Sequence, residues 1–487
     1  TKKEVVRLKK VVLPRAFDIV NVDSVNYYSN EIIIVSIRKP SGEKEFLYID
    51  NFFNYFYVRE DYEVPMFLKV FKGGVNRKTY NDEVVKPIYF VCEQDRKNAA
   101  KVLAQMKVVT WESDIDIVLH FLMEKKYKFS KDQNILYFDI ETVDSTDVEL
   151  TPKPIISIVG HISINAMTHV FAWRQDLKTH IEVKDNVLYY YFCKEVDMLH
   201  AFCEFVTKES PDIISGWYIR GFDIPYLCNR MRLLGMDHNN LSKFKRVWNL
   251  KGFEGYKNHI TGYSIIDAID IYKGLTYYDK PDSYRLDSVA KLELEEGKLF
   301  HEESFEVLWN TKLDELLDYN IQDVLLVKRL DIKKRLINYL ISVQQVCPAP
   351  LHHLRFFGKT SDFFCLFQFT DKFVFPSKNY DATKIPYVGA VTGRLEIRDG
   401  EFVGIDPTPG LYKNAVFFDF ASLYSSIYRT FNISPDTLTE DGDIVLNYLL
   451  GENEESFEKK TVKFTSSKIG FIPEVLELLL KLRNDAK

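Results

Sequence analysis

Two carboxylates stand two residues apart inside an otherwise apolar run. Asp139 and Glu141 lie in the segment NILYFDIETVD, residues 134–144. In a β-strand, residues i and i+2 point to the same face, so we expect both side chains to project together. Two like charges placed side by side in an apolar setting are costly unless a cation lies between them. The segment therefore predicts a strand that offers two ligands to a metal ion.

Three further residues could complete such a site. Asp223 lies in IISGWYIRGFDIPYL, where an ordinary helix N-cap is the alternative interpretation. Tyr319 and Asp323 lie four residues apart in LDELLDYNIQDVLLVKRL, and this spacing puts them on one face of a helix. Four acids suit two divalent ions, which position a water and stabilise the leaving oxygen of a phosphodiester. Because the ligands are hard oxygens, we expect Mg²⁺ or Mn²⁺ rather than zinc, and we expect Tyr319 to orient the attacking water.

The elements that must position these residues are predicted to be strands followed by helices. We expect strands at 31–37, 45–49, 155–164 and 170–173, the last two forming an antiparallel meander with the strand that carries Asp139. Apolar residues at helical spacing predict helices at 196–208 and 313–330. Residues 263–272 are typical of a strand running into a helix, and we interpret Asp267 and Asp270 there as caps or surface charges. This pattern indicates an α+β fold.

Length and composition limit the other possibilities. The 487 residues suggest about three domains, and 46% hydrophobic with 28% charged residues is ordinary for a globular protein. A net charge of −6 gives no general attraction to nucleic acid, although it does not exclude a local basic groove. The aromatic segment NFFNYFYV at 51–58 could stack unpaired bases, but a strand facing a core is the favoured interpretation.

Cysteine usage and hydropathy indicate a cytoplasmic protein. The six cysteines form no CxxC pair and are expected to stay reduced. The sequence contains no run of about 18 apolar residues, so no membrane association is expected. The basic beginning TKKEVVRLKK lacks the apolar segment of a signal peptide.

Three short motifs give the chain a family resemblance. YFDIET, GWYIRGFDIPYL and YNIQDV resemble, in order and spacing, the exonuclease motifs of family B DNA polymerases of the tailed-phage replicative type. The resemblance implies an RNase H-like domain that removes mispaired 3′ ends from DNA, with Asp139, Glu141, Asp223 and Asp323 as its metal ligands. One departure is visible, because the family often has asparagine where this chain has Tyr218.

The second half resembles the polymerase part of the same family. In AVFFDFASLYSSIYRTFNISPDT, Asp419 ends a predicted strand and could bind a metal that bridges nucleotide phosphates, while the following turn offers backbone N–H groups. The stretch resembles family motif A, in which the residue matching Tyr424 packs under the incoming sugar; Ser425 replaces the usual proline. The nucleotide-binding residues implied are Ser422, Leu423, Tyr424 and Arg483. Arg483 lies in GFIPEVLELLLKLRNDAK, which resembles the first fingers helix, and a plain surface helix is the alternative.

The resemblance also implies a domain plan. YVGAVTG resembles the element between exonuclease and polymerase domains, so Tyr387 and Gly389 are expected to contact DNA. We expect an N-terminal domain at 1–130 completed by 331–385, an exonuclease domain at 131–330, a partial palm domain at 386–468 and the start of a fingers helix at 469–487. The fold is thus expected to be multidomain.

Family members continue with a second fingers helix, a palm hairpin bearing a second catalytic aspartate, and a thumb, none of which occurs in the 487 residues. We therefore expect a fragment, or the N-terminal subunit of a split polymerase, that needs a second polypeptide or a C-terminal segment and does not extend DNA alone. Expected ligands are primer-template DNA, single-stranded 3′ ends, deoxynucleoside triphosphates and two Mg²⁺ or Mn²⁺ ions per site. A virus-encoded chain would act in the host cytoplasm. The alternatives are a free-standing metal-dependent 3′→5′ exonuclease and a non-catalytic binding subunit.

Overall fold

The computed structural model describes most of the chain in separate stretches. These are residues 18–27, 30–39, 43–50, 52–143, 147–252, 255–355, 357–378, 394–398, 401–406, 410, 413–414, 416, 422–450 and 458–485. The chain divides into two compact units, of which the first comprises Thr1–Val58, Tyr62–Val75 and Pro87–Asp371, and the second Arg59–Asp61, Asn76–Lys86 and Lys372–Lys487. The domain plan set out above stays a prediction.

The first unit begins with an antiparallel sheet in the order β1-β2-β3, formed by Asp18–Tyr27, Asn30–Arg38 and Lys44–Ile49. Strands β2 and β3 confirm the strands expected at 31–37 and 45–49. Ile33, Val35 and Ile37 alternate along β2 and pack on one face with Phe121 and Leu122. Alternate residues of a strand share a face, so this spacing explains why the sheet packs against the helix that carries Phe121.

A second group of strands and two helices follow: β4 (Asn54–Arg59), β5 (Phe71–Lys72), β6 (Arg77–Lys78), β7 (Val84–Phe90), α1 (Glu93–Gln105) and α2 (Ile117–Lys125). Strand β4 contains most of the aromatic segment. Its residues 55–58 are all buried, and Phe56 packs with Phe90 in a core cluster. These rings face a core, and the base-stacking alternative is not supported for them.

A mixed sheet is the centre of the first unit. The next strands along the chain are β8 (Ile135–Thr142), β9 (Ile155–Ile162), β10 (Met167–Trp173), β11 (His180–Lys184), β12 (Val187–Phe192), β13 (Ile213–Gly216), the hairpin β14 (Val247–Gly252) and β15 (Gly255–Ile260), and β16 (Ser264–Asp267). Among the described residues, seven of them pair in the order β11-β12-β10-β9-β8-β13-β16. Strands β8, β9 and β10 pair antiparallel, which confirms the predicted meander, whereas β13 runs parallel to both β8 and β16.

Helices cover this sheet. They are α3 (Glu195–Glu209), α4 (Asp223–Leu233), α5 (Ala268–Leu275), α6 (Leu286–Leu294), α7 (Phe305–Thr311) and α8 (Leu313–Lys334). Leu136, Phe138 and Ile140 of β8 share a buried cluster with Phe202 of α3. The predicted helices at 196–208 and 313–330 correspond to α3 and α8.

Helices α9 (Leu336–Val346), α10 (Leu351–Leu354) and α11 (Phe357–Phe369) complete the first unit. Phe367 of α11 packs beside the cluster of β1 and β2, and Lys126 forms an ion pair with Asp371. Across the described residues, none of the helices combines the length and the apolar composition that crossing a bilayer requires.

The second unit contains the hairpins β17 (Arg394–Arg398) with β18 (Glu401–Asp406) and β19 (Ile444–Leu450) with β20 (Glu458–Phe464), and the helices α12 (Leu423–Thr430) and α13 (Phe471–Asp485). Phe471 at the start of α13 packs against Phe373, Phe375 and Tyr80. Helix α12 lies in the segment expected to be helical, and α13 begins two residues before Pro473. Together with the mixed sheet, these elements confirm an α+β fold.

Candidate functional site

Strand β8 separates its residues into an apolar face and an acidic face. Leu136, Phe138 and Ile140 point into the core, so the period of two puts Asp139 and Glu141 on the opposite face. In the sheet, Asp139 is paired with Val159 and Glu141 with Ser157 of β9. The two acids therefore share a face because the residues that alternate with them pack in the core.

Helix α8 carries the third acid to the same place. Asn320 is buried and donates from Nδ2 to Oγ of Ser157 at 2.9 Å, and Tyr137 of β8 donates from its hydroxyl to Asp331 near the end of α8. These bonds fix α8 across the acidic face. Carboxylate oxygens of Asp139, Glu141 and Asp323 all lie within 4.8 Å of one another.

Asp223 approaches this group from another side. It is the first residue of α4 and is buried, and its Oδ1 accepts a hydrogen bond from the backbone N–H of Ile140 at 3.0 Å. The bonded N–H lies between the two acids of β8. Asp223 is thus held at the edge of the cluster and does not belong to the group of three whose oxygens lie within 4.8 Å of one another.

The electrostatics of the four acids favour a bound cation. Burial, followed by the negative charges of Asp223, Glu141 and Asp323, raises the pKa of Asp139 well above its usual range. Burial is also the first cause of a pKa of about 8 for Glu141 and about 7 for Asp223. A cation between them would stabilise the ionised forms and lower these pKa values.

The donor set fits a hard divalent metal ion. The ligand atoms are carboxylate oxygens, which suit Mg²⁺ or Mn²⁺ better than softer metals. Oδ1 of Asp323 is buried and accepts no hydrogen bond in the part of the chain that the structure describes. A buried carboxylate oxygen normally has a partner, so this atom is available as a ligand. Asp139, Glu141 and Asp323 are the residues that would hold such an ion.

Lys298 is a member of the site that the sequence did not reveal. Its Nζ donates to Oδ2 of Asp323 and, at 3.1 Å, to the hydroxyl oxygen of Tyr319. Burial, the largest single cause, would lower the pKa of Lys298, but Asp323, Tyr319 and Asp139 together outweigh it and the pKa is raised. The residue follows the acidic run ELEEG, a pattern typical of a solvated loop, so no local signal separated it from surface lysines.

Tyr319 lies where the helical spacing placed it. It is buried on the same face of α8 as Asp323, and both side chains contact Lys298. The ring packs edge-on against His301 and Phe305. Burial, with the charge of Asp323 as the next cause, raises the pKa of Tyr319 to about 12, so its hydroxyl stays protonated at neutral pH.

The structure corrects the interpretation of Asp267 as a cap or surface charge. It is buried and stands at the N-cap position of α5, but its side chain makes no capping hydrogen bond. Its two oxygens instead accept from the backbone N–H groups of Tyr218 at 2.7 Å and Arg220 at 3.1 Å. Asp267 therefore holds the turn that precedes Asp223. Asp270 is on the surface and pairs with Arg355 at 2.6 Å.

Part of the expected nucleotide site is described in the second unit. Arg483 of α13 donates from Nη1 to Oγ of Ser422 at 3.3 Å, so two of the four residues are in contact. Leu423 and Tyr424 begin α12, and the side chain of Tyr424 is 74% exposed. Asp419, Tyr387 and Gly389 lie outside the described residues.

Comparisons with known proteins match two stretches of this chain. The model of the family B DNA polymerase exonuclease domain matches residues 81–289, and the model of family B DNA polymerase matches residues 363–487. Tyr319 and Asp323 lie between the two matched stretches, so their place in the site depends on the geometry described above.

Two phage proteins are among the relatives of this chain. The DNA-directed DNA polymerase of Enterobacteria phage T4 is 29% identical over 320 residues, covering 63% of this chain and 34% of that protein. The DNA-directed DNA polymerase of Escherichia phage RB69 is 30% identical over 266 residues, covering 53% and 28%. This chain therefore spans about a third of the length of these relatives.

A solved structure has the same fold. The family B DNA polymerase of the archaeon Pyrobaculum calidifontis matches with a TM-score of 0.69 at 20% identity, over 96% of this chain and 63% of that one. Taken together, the two family models, the phage relatives and the shared fold show that the chain belongs to the family B DNA polymerases.

Proposed function

We propose that this chain carries the 3′→5′ proofreading exonuclease of a replicative DNA polymerase, together with part of the polymerase site. The observation that carries the proposal is the cluster of Asp139, Glu141 and Asp323, with an unpartnered buried oxygen on Asp323. The substrate is a single-stranded 3′ end of DNA, and the reaction is hydrolysis of its last phosphodiester bond.

The proposed cofactor is a pair of Mg²⁺ or Mn²⁺ ions, with Asp223 as the fourth acid of the site. Bound ions of this kind supply charge stabilisation at phosphate oxygens and acidify a bound water. The strand–helix frame described above holds the ligands in place before substrate arrives. Such preorganisation is the main way a protein contributes to charge stabilisation.

Lys298 and Tyr319 have complementary roles beside the acids. A lysine ammonium can only donate hydrogen bonds, so Lys298 donates to the oxygen of Tyr319 and leaves the phenolic proton free. That proton can then be donated to a water or a substrate oxygen. We assign Tyr319 to orienting the attacking water, as the sequence suggested, and Lys298 to positioning Tyr319 and Asp323.

The second unit supplies the start of a polymerase site. Asp419 is the proposed metal ligand there, Ser422, Leu423, Tyr424 and Arg483 bind the incoming deoxynucleoside triphosphate, and Tyr387 with Gly389 contact primer-template DNA. The contact between Arg483 and Ser422 supports this assignment.

Two assays on the same preparation test the proposal. The chain is incubated with a labelled single strand and Mg²⁺, alone and as the Asp139→Ala variant. We expect the wild type to shorten the strand stepwise from the 3′ end and the variant to lose this activity. Degradation that persists in the variant would refute the nuclease assignment. A primer-extension assay with this chain alone is expected to show no product. Efficient extension would refute the account of an incomplete polymerase site.

A further inference from the structure

The turn before Asp223 presents an aromatic ring to solvent. Tyr218 has a backbone φ of 69°, a left-handed conformation that bulky residues rarely adopt. Its side chain is nevertheless 55% exposed, so burial of the ring does not explain the conformation. Backbone strain of this kind persists only where the surroundings enforce it, and it is concentrated at functional sites.

Contacts on both sides fix the backbone of this residue. The buried carboxylate of Asp267 accepts the N–H groups of Tyr218 and Arg220. Trp217 is buried and donates from Nε1 to the backbone oxygen of Tyr284 at 3.0 Å, and Ile219 is fully buried. With both neighbours anchored inward, the side chain of Tyr218 is directed outward at a set position.

Gly221 fixes the ring itself. A Cβ atom at residue 221 would lie 2.3 Å from Cζ of Tyr218 and 2.6 Å from both of its Cε atoms. These near-equal distances place the backbone of Gly221 over one face of the ring, where only glycine leaves room. The N–H groups of Gly221 and Phe222 both donate to the carbonyl oxygen of Tyr218 at 3.0 Å. The ring is thus held against the turn that leads directly into Asp223.

We propose that the exposed ring of Tyr218 is a stacking platform for a base at the 3′ end of the single strand. The inference rests on the proposed nuclease function and names how that site holds its substrate. Every base has a π-face, so an aromatic platform binds without sequence preference. A platform that binds every base suits an enzyme that must accept any terminal nucleotide.

Binding can be measured without cleavage. A single strand with 2-aminopurine as its last base and a phosphorothioate at its last linkage reports stacking by fluorescence quenching in the presence of Mg²⁺. Tyr218→Phe is expected to keep the quenching and the affinity, and Tyr218→Ala to lose the quenching and bind about 10-fold more weakly. The wild type is expected to prefer this strand over one with an abasic 3′ end, and the Ala variant to lose that preference.

Gly221→Ala gives a matched test that leaves the tyrosine in place. The new methyl group would displace the ring, so the variant is expected to resemble Tyr218→Ala. Combined with Tyr218→Ala, the same change should add almost nothing, because the ring it collides with is absent. Tyr448→Ala, which removes an exposed tyrosine of the second unit, serves as a control with wild-type binding. Thermal unfolding of each variant verifies that it is folded.

The outcomes separate this inference from the nuclease assignment. If the wild type shortens DNA but Tyr218→Ala binds within two-fold of it and keeps the quenching, the platform is refuted. A full additional loss from Gly221→Ala on the Tyr218→Ala background would also refute it, because Gly221 would then act independently of the ring. If the wild type quenches the probe and Tyr218→Ala does not, but no strand is shortened, the platform stands and the nuclease assignment fails.

Discussion

The metal-free protein should lose stability as the pH rises from about 6.5 to about 8. Glu141 has a pKa of about 8 in the folded protein and Asp223 one of about 7, whereas free carboxyl groups titrate near 4. The folded protein therefore retains protons that the unfolded chain has already released. Under these conditions the free energy of unfolding falls by about 1.4 kcal/mol per retained proton for each pH unit.

The size of the effect follows from the two acids. Glu141 is half ionised near pH 8 and Asp223 near pH 7, so their combined contribution across the window is a loss of about 2 kcal/mol, to which the raised pKa of Asp139 adds. Buried histidines act mainly below this window. His161 and His169 have pKa values of about 4 because burial disfavours their charged forms, so they reduce stability mainly as the pH falls below about 6.5 and oppose the carboxyl effect only weakly at the lower end of the window.

Urea unfolding with a metal chelator present measures the effect. All five tryptophans of the chain belong to the first unit, so their fluorescence reports on the unit that contains the acids. Saturating Mg²⁺ should flatten the pH dependence, because a metal ion binds the ionised carboxylates. Glu141→Gln should make the slope clearly shallower, whereas Glu149→Gln, a control at an exposed position, should keep it. Stability that stays level or increases from pH 6.5 to 8 in chelator would refute the reasoning.

Four further substitutions test the site and the residues that frame it. Asp323→Ala should abolish nearly all cleavage, whereas Tyr319→Phe, which loses only the hydroxyl, should leave a reduced but measurable rate in a single-turnover assay; equal losses would contradict the role of Tyr319. Lys298→Met should lower the cleavage rate at least about 10-fold, and wild-type cleavage would exclude it from the site. Asp212→Ala should reduce the free energy of urea unfolding by about 3 to 5 kcal/mol, because the buried Lys44 and its neighbour Arg38 lose their shared carboxylate; a loss below about 1 kcal/mol would show that water compensates them.

The periodic spacing of residues within single strands and helices explains which parts of the site were predicted correctly from the sequence. The alternation in β8 predicted both the strand and the common face of Asp139 and Glu141, because one face had to be apolar to reach a core. The i, i+4 spacing predicted that Tyr319 and Asp323 share a face of α8. Both predictions concern residues close together in the chain, where backbone geometry alone decides which side chains are neighbours.

Long-range contacts account for what the sequence did not predict. Asp267 meets the turn at Tyr218 only because β16 and β13 pair in parallel, with Gly216 opposite Asp267. A lone aspartate before a helix is most often a cap, so local reasoning favoured the wrong role. Lys298 reaches Asp323 across 25 residues, and its own surroundings in the sequence are those of a surface loop.

The free-energy cost of burying the acidic cluster and the fixed spacing of its carboxylates both follow from the alternation of residues along β8. Asp139 and Glu141 are expensive to bury, yet they cannot turn away from each other, because a shift of one residue in β8 would exchange its faces and put both carboxylates in the core. Burial of Leu136, Phe138 and Ile140 therefore fixes the register of β8, although repulsion between the two carboxylates opposes that register. The pairing becomes irregular between Glu141 and Thr142, immediately beyond the second acid. The apolar residues of the strand thus belong to the metal site in the physical sense that they set the spacing of its ligands.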